Sequence, residues 1–440
     1  MPLPYRGVIE GFYGRPWRPA QRRELLGDLA AWDMTTYVYG PKDDVKVRAA
    51  WRLSYDQEEA RELGALAREA RTHGVALHYA IAPGLDLRYA DPDDRRALRA
   101  KVDQVLDFGA EGVTLLFDDI DPALSPADAR AFPSPAHAQA DVANELHAHL
   151  QDRGGVPLLL CPTEYCDRMA DPSPEESPYL RTLGEDLHPG IDVYWTGPEI
   201  VSERVPPEAA ARMGRTLGRK PVLWDNLHAN DYDGRRLYLG PYRGRPPELR
   251  AQLRGVISNP NVEAEANFVP LHTTAAWLRG HADTPDAAES SFRAAIDAWW
   301  PRFATHDGHL DRELLEVLVD YLHLPFAHGP RARAHLDALR VLAADPRTAP
   351  PEVAATLARA AEQLRAAYVG VTELTRRELA YALYPYAWDL KEEAEVGARL
   401  AQTGTGRLCR PHGLANTYRT GVLDELQGLL PLGRDGCVPR

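Results

Sequence analysis

Apolar residues over the first 265 positions come in short runs, with polar helical stretches between them. Eight such runs are rich in β-branched and aromatic residues: Arg6–Phe12, Thr35–Gly40, Val75–Ala82, Gly112–Asp119, Val156–Tyr165, Ile191–Gly197, Lys220–Asn226 and Gly255–Asn259. Several are apolar on successive residues, as in Leu158-Leu159-Leu160, rather than on alternate ones. That pattern belongs to parallel strands covered on both faces.

Most gaps between the runs read as helices. Ser54 with Gln57 resembles a capping box, followed by Leu63, Leu66 and Ala70 at helical spacing and Gly74 as a stop. Asp91-Pro92 supplies an N-cap and a first-turn proline, with Leu98, Val102 and Val105 as the buried stripe and Gly109 as the end. Ser134-Pro135 opens another helix through Val142, Leu146 and Leu150 to Gly154-Gly155. The stretch before the last strand is rich in Gly and Pro and makes the poorest helix.

Eight strands alternating with helices over roughly 280 residues predict a (β/α)8 TIM barrel, typically about 250 residues long. A doubly wound open sheet is the competing arrangement, but no G-x-G-x-x-G or Walker pattern marks a nucleotide site at any strand-to-helix turn.

From Thr284-Pro285-Asp286 onward the β-branched clusters give way to Ala, Leu, Arg and Glu. Phe292, Ile296, Trp299 and Trp300 share one helical region. Leu310–Leu324, Arg331–Ala343 and Pro351–Leu383 predict further helices, with segments near Ala387–Leu400 and Ala415–Leu430. The expected organisation is a barrel domain over 1–283 and a C-terminal α-helical domain over 284–440, its tryptophans serving as core.

Bulk composition narrows the function less than the pattern does. A net charge of −13 argues against nucleic acid or an anionic membrane as partner. No run approaches the roughly 18 apolar residues of a membrane span, and the first residues, MPLPYRGVIEGFYG, carry no basic-then-apolar leader, so a cytoplasmic location is the expectation. Cys161, Cys166, Cys409 and Cys437 are too few and scattered for a disulfide scaffold or a zinc site, and Cys161 and Cys166 read as packing residues. No metal and no cofactor is expected.

In a barrel, catalytic groups gather where strands end. Those positions hold Glu10-Gly11-Phe12-Tyr13, Lys42-Asp43-Asp44, Asp118-Asp119, Glu164-Tyr165, Trp195-Thr196-Gly197, Trp224-Asp225-Asn226 and Asn259-Pro260-Asn261. Carboxylates, amides, a lysine and aromatics without a Cys/His cluster suit a neutral polyhydroxylated ligand. Each also has a plainer reading: Asp119 as a helix cap, Lys42 as the counter-ion of Asp43 or Asp44, Trp224 as packing, His228 as structural. Two consecutive aspartates after an apolar run resist the plain reading best, because like charges so close disfavour joint ionisation.

Long motifs in order along the barrel carry a family resemblance. GVIEGFYGRPW (Gly7–Trp17), YGPKDD (Tyr39–Asp44), LLFDDID (Leu115–Asp121), CPTEYC (Cys161–Cys166), YWTGP (Tyr194–Pro198), LWDNLHANDYD (Leu223–Asp233), LGPYRGR (Leu239–Arg245) and SNPNVEAEANF (Ser258–Phe268) together resemble glycoside hydrolase family 84. The helical region carries far weaker signatures of the same family. The resemblance implies retaining hydrolysis of terminal β-linked N-acetylglucosamine, with the substrate's own 2-acetamido oxygen as nucleophile and an oxazoline intermediate. This departs from the usual retaining scheme, in which a protein carboxylate attacks.

By the same resemblance Asp118 positions the acetamido group and Asp119 is the general acid/base. Gly11 and Lys42 contact sugar hydroxyls. Tyr165 and Trp224 wall the acetamido methyl with Asn226 in support, while Asp231 and Asn259 hold the O4/O6 edge. O-GlcNAc on protein Ser or Thr is the expected substrate. Free glycans or hyaluronan-type fragments, and a non-catalytic GlcNAc-binding lectin, are the alternatives. The helical domain is a candidate homodimer interface or one wall of a peptide groove.

Overall fold

Eight parallel strands close on themselves in sequence order: β1 (Tyr5–Glu10), β2 (Thr36–Tyr39), β3 (Ala76–Ile81), β4 (Gly112–Leu116), β5 (Leu158–Cys161), β6 (Asp192–Trp195), β7 (Val222–Asp225) and β8 (Gly255–Ser258). The ring is completed by β1 pairing with β8, Gly7 opposite Ile257. These are the eight predicted strands, seven of them trimmed by one or more residues and β1 starting one residue earlier and ending two earlier than predicted. The computed structural model describes residues 2–344 and 349–403, with Val422, Glu425 and Leu429. Cys409, Cys437 and most of the predicted helix near 415–430 lie outside the described residues.

By internal contacts the chain forms two compact units. One comprises 1–229, 243–262 and 275–283; the other comprises 230–242, 263–274 and 284–440. In the first, the continuous apolar runs do what was expected of them. Ile9, Val38, Leu116, Leu159, Val222 and Ile257, from six strands, join one buried cluster that also holds Cys161, Tyr165, Cys166 and Trp224. The core therefore continues without a break into residues that follow the strand ends. One approach is unusually close: a Cβ on Gly112 of β4 would sit 2.4 Å from the ring of His78 on β3.

Helix ends follow local chemistry. Asp91 caps Pro92–Asp107 by accepting from the Asp93 amide at 2.8 Å, and Ser134 caps Pro135–Asp152. The predicted box at Ser54 and Gln57 is displaced by two residues. Asp56 accepts from the Glu59 amide at 3.0 Å, and Glu59 Oε2 accepts from the Asp56 amide at 2.7 Å. Aspartate followed by a glutamate three positions on satisfies both orphan donors, whereas the Ser54 pairing leaves the helix two residues early. Between β7 and β8 a six-residue 3₁₀ turn, Pro247–Gln252, replaces the predicted helix.

In the second unit, Thr284 caps Pro285–Trp299, followed by helices Arg312–Tyr321, Pro330–Ala344, Pro351–Glu373 and Arg377–Thr403. The apolar pattern predicted one helix to Leu383 and a separate one from Ala387. The break instead falls at 374–376, and the last helix runs on through Pro385. Trp299 is fully buried and packs edge-on against Phe303, ring centroids 4.7 Å apart. Among the described residues no helix is long and apolar enough to cross a membrane.

Candidate active site

The loop after β1 is anchored before it presents anything. Glu10, fully buried at the strand end, accepts from the Trp17 amide at 2.9 Å, from Arg22 Nε and Nη2 at 2.8 Å each, and from the Tyr37 hydroxyl. Phe12 and Trp17 pack ring against ring at 5.3 Å. Glu10 is thus fully committed, and Tyr13, 42% exposed, is left at the rim. The loop after β2 follows the same logic. Asp44 accepts from the hydroxyls of Tyr39 and Tyr55, both at 2.8 Å, so it does not need the neighbouring lysine.

Lys42 instead reaches β4. Its ammonium lies 2.5 Å from Asp118 Oδ2, and the two side chains are only 2% and 9% exposed. The second carboxylate oxygen, Oδ1, is buried without a hydrogen-bond partner. Burying a carboxylate with one oxygen ion-paired and the other unsatisfied is costly and marks a site of use rather than of stability. Of the plain readings, Lys42 as counter-ion of Asp43 or Asp44 therefore gives way to a Lys42–Asp118 pair.

Asp119 has the opposite surroundings. It is exposed, and its backbone is left-handed with φ at 52°. The Tyr13 hydroxyl donates to Oδ2 and the Tyr165 hydroxyl to Oδ1, each at 3.1 Å. Burial first, and the Asp119 carboxylate second, push both phenols up, so each stays a protonated donor. Arg48 Nη2 donates to the Asp119 carbonyl at 2.8 Å.

On the far side of the ring, Asn226 Oδ1 accepts from Trp224 Nε1 and from Asn259 Nδ2, both at 3.0 Å, while its Nδ2 donates to the Ile200 carbonyl at 2.8 Å. This fixes the amide and stands the indole upright, edge-on to Tyr194 at 5.3 Å. A Cβ at Gly11 would lie 2.8 Å from the Trp224 ring, so the absence of a side chain there keeps the indole in place. Asn259 Oδ1 is another buried acceptor without a partner. Cys161 is buried beside these groups, and burial holds its thiol neutral, well above the usual range. Asp225, one residue from Asn226, is structural: Arg245 clamps it through Nε at 2.8 Å and Nη2 at 2.6 Å.

Of the predicted residues, Lys42 and Asp118 are joined directly, as are Asp119 and Tyr165, and as are Trp224, Asn226 and Asn259, with Gly11 against the indole. Asp231 lies in 230–242, a stretch of the second unit, where Asn230 donates to Glu263 Oε2 at 2.8 Å and to the Arg236 carbonyl at 2.9 Å. Two residues beside Asp119 were given no role by the sequence reading. Tyr13 was named among the strand-end residues but not singled out from them. Arg48 sits in mid-loop with no periodic or positional signal. Among the described residues, no group of three or more His, Cys, Asp and Glu side chains is arranged to hold a metal ion.

A family model described as beta-N-acetylglucosaminidase matches residues 6–307. The chain is 50% identical over 277 residues to the protein O-GlcNAcase of Rattus norvegicus and 49% identical over 277 residues to that of Mus musculus. Each match covers 62% of this chain and 30% of the relative, so the chain spans under a third of their length. An O-GlcNAc hydrolase mutant from Thermobaculum terrenum superposes with a TM-score of 0.79 at 25% identity, over 91% of this chain and 88% of that one. The matched stretch runs from the second residue of β1 past β8 and contains the Asp118-Asp119 pair and every group described around it, and the chain belongs to the beta-N-acetylglucosaminidase family that its motifs resemble.

Proposed function

We propose that this protein is a retaining β-N-acetylglucosaminidase that removes O-linked N-acetylglucosamine from Ser or Thr of proteins. The observation that carries the reading is the division of labour in the aspartate pair. Asp118 is ion-paired through one oxygen and has a buried vacant acceptor on the other, suited to an acetamido N–H. Asp119 is accessible and held by two phenols, suited to exchanging a proton with a leaving oxygen and then with water.

In the first step the acetamido oxygen attacks the anomeric carbon and the bond to the aglycone breaks. Asp119 gives its proton to the departing oxygen, and Asp118 stabilises the positive charge growing on the acetamido nitrogen. In the second step water adds to the anomeric carbon, Asp119 takes its proton, and the oxazoline opens. Tyr165 and Trp224 confine the acetamido methyl, the Asn226 knot keeps the indole oriented, Gly11 leaves room, and Lys42 and Asn259 bind sugar hydroxyls. Neither aspartate has to reach the anomeric carbon, so adjacent positions on one strand end suffice.

Incubation with an aryl β-N-acetylglucosaminide and with an O-GlcNAc peptide tests the reading. Release of β-configured sugar from both is the expected result. Binding without turnover of either would make the protein a lectin, and turnover confined to the aryl glycoside would remove the protein substrate.

A further inference from the structure

We propose that Arg48 is a positioning residue that holds the Asp119 peptide in its left-handed conformation and so aims the acid/base carboxyl. The proposal rests on the hydrolase reading above. A non-glycine residue at φ 52° is strained and persists only where surrounding contacts over-determine it. Three contacts converge on Asp119, two phenols on its carboxylate and Arg48 Nη2 on its carbonyl. Only the last grips the backbone whose torsion is unusual.

Arg48 also supports the partner on the other side. Its guanidinium lies 5.7 Å from the centre of the Tyr13 ring, the same tyrosine that donates to Asp119 Oδ2. A single buried cation thus braces both the backbone and one hydroxyl clamp of Asp119. It is not spent on stability as Arg245 is. Arg245 donates to Asp225 and to the carbonyls of Ser202, Glu203 and Arg243, whereas Arg48 Nη1 is buried with no partner. A buried guanidinium left partly unsatisfied is a cost the fold bears for another purpose.

The test uses the full chain with Arg48→Met, which keeps bulk and removes the donors, and Arg48→Lys, which restores one. Turnover is measured on an activated aryl glycoside and on an O-GlcNAc peptide, whose leaving oxygen needs a proton. The expected result for Arg48→Met is a kcat loss at least about tenfold greater on the peptide, a part of the roughly 10²- to 10⁴-fold a general acid supplies. KM for the aryl glycoside should stay within about twofold because Lys42 remains in place. Arg48→Lys should recover part of the peptide rate, and a crystal structure of the Arg48→Met variant should show Asp119 away from positive φ or poorly ordered. Equal losses on both substrates, or Asp119 unmoved at φ near 50°, would overturn the role of Arg48 while leaving the hydrolase reading intact. Wild-type protein inert on both substrates would overturn the hydrolase reading, and this proposal with it.

Discussion

Asp118 and Asp119 are neighbours in the chain and opposites in environment. Asp119 has positive φ and its carboxyl meets the hydroxyls of Tyr13 and Tyr165, while the carboxyl of Asp118 meets Lys42. The two roles should separate experimentally. Replacing Asp119 with Ala is expected to cost about 10²- to 10⁴-fold on an O-GlcNAc peptide and far less on an activated aryl glycoside. Asp118→Asn is expected to slow both, because ring closure itself suffers; an unchanged rate on the activated substrate would remove its assigned role. At Gly11, an alanine would press on the Trp224 indole and should raise KM several-fold, read from initial rates at varied glycoside concentration. That Asp118 and Asp119 mattered was legible from two acids ending an apolar run. That Lys42 belongs to Asp118 and not to its own neighbours was not, since seventy-six positions separate the pair.

At the level of elements, the strands were the most legible part, because burial on both faces writes a continuous apolar run into the sequence. Their packing was not. His78 reads as an unremarkable polar interruption in β3, yet its ring fills the space opened by Gly112 on β4. Gly112→Ala should therefore destabilise by about 1–3 kcal/mol or more, measured by urea denaturation, with no role in binding to confuse the result. Helix starts at Asp91 and Ser134 were legible, but one failed by a small step: the Asp56–Glu59 box and the Ser54–Gln57 reading differ by two residues, and only hydrogen bonds choose between them. Pro385 marked the expected gap in the last helix, and tertiary packing along Pro351–Glu373 overrides it. The cap itself is testable: Asp56→Ala should cost about 1 kcal/mol in the same assay.

Across the whole chain, two buried histidines make stability depend on pH. Burial lowers His78 and His335 from 6.5 to about 4 each. Between these values the unfolded chain binds more protons than the folded one, so stability is full above 6.5 and falls as the pH drops toward 4. The ceiling for each is about 3 kcal/mol. Denaturation curves at several pH values should show this slope, and His78→Leu should remove part of it; an unchanged slope would exclude His78 as a source. The sequence by itself determined the barrel, its strand order and the residues at its mouth. Strand burial and strand-end position are local properties of a parallel barrel, so they leave a periodic and positional trace. Tertiary structure alone decided the rest: Lys42 against Asp118, the two phenols and Arg48 around Asp119, and the Trp224–Asn226–Asn259 knot. Those contacts join loops from different strands, and their distances depend on how the ring closes, which no run of residues along the chain records.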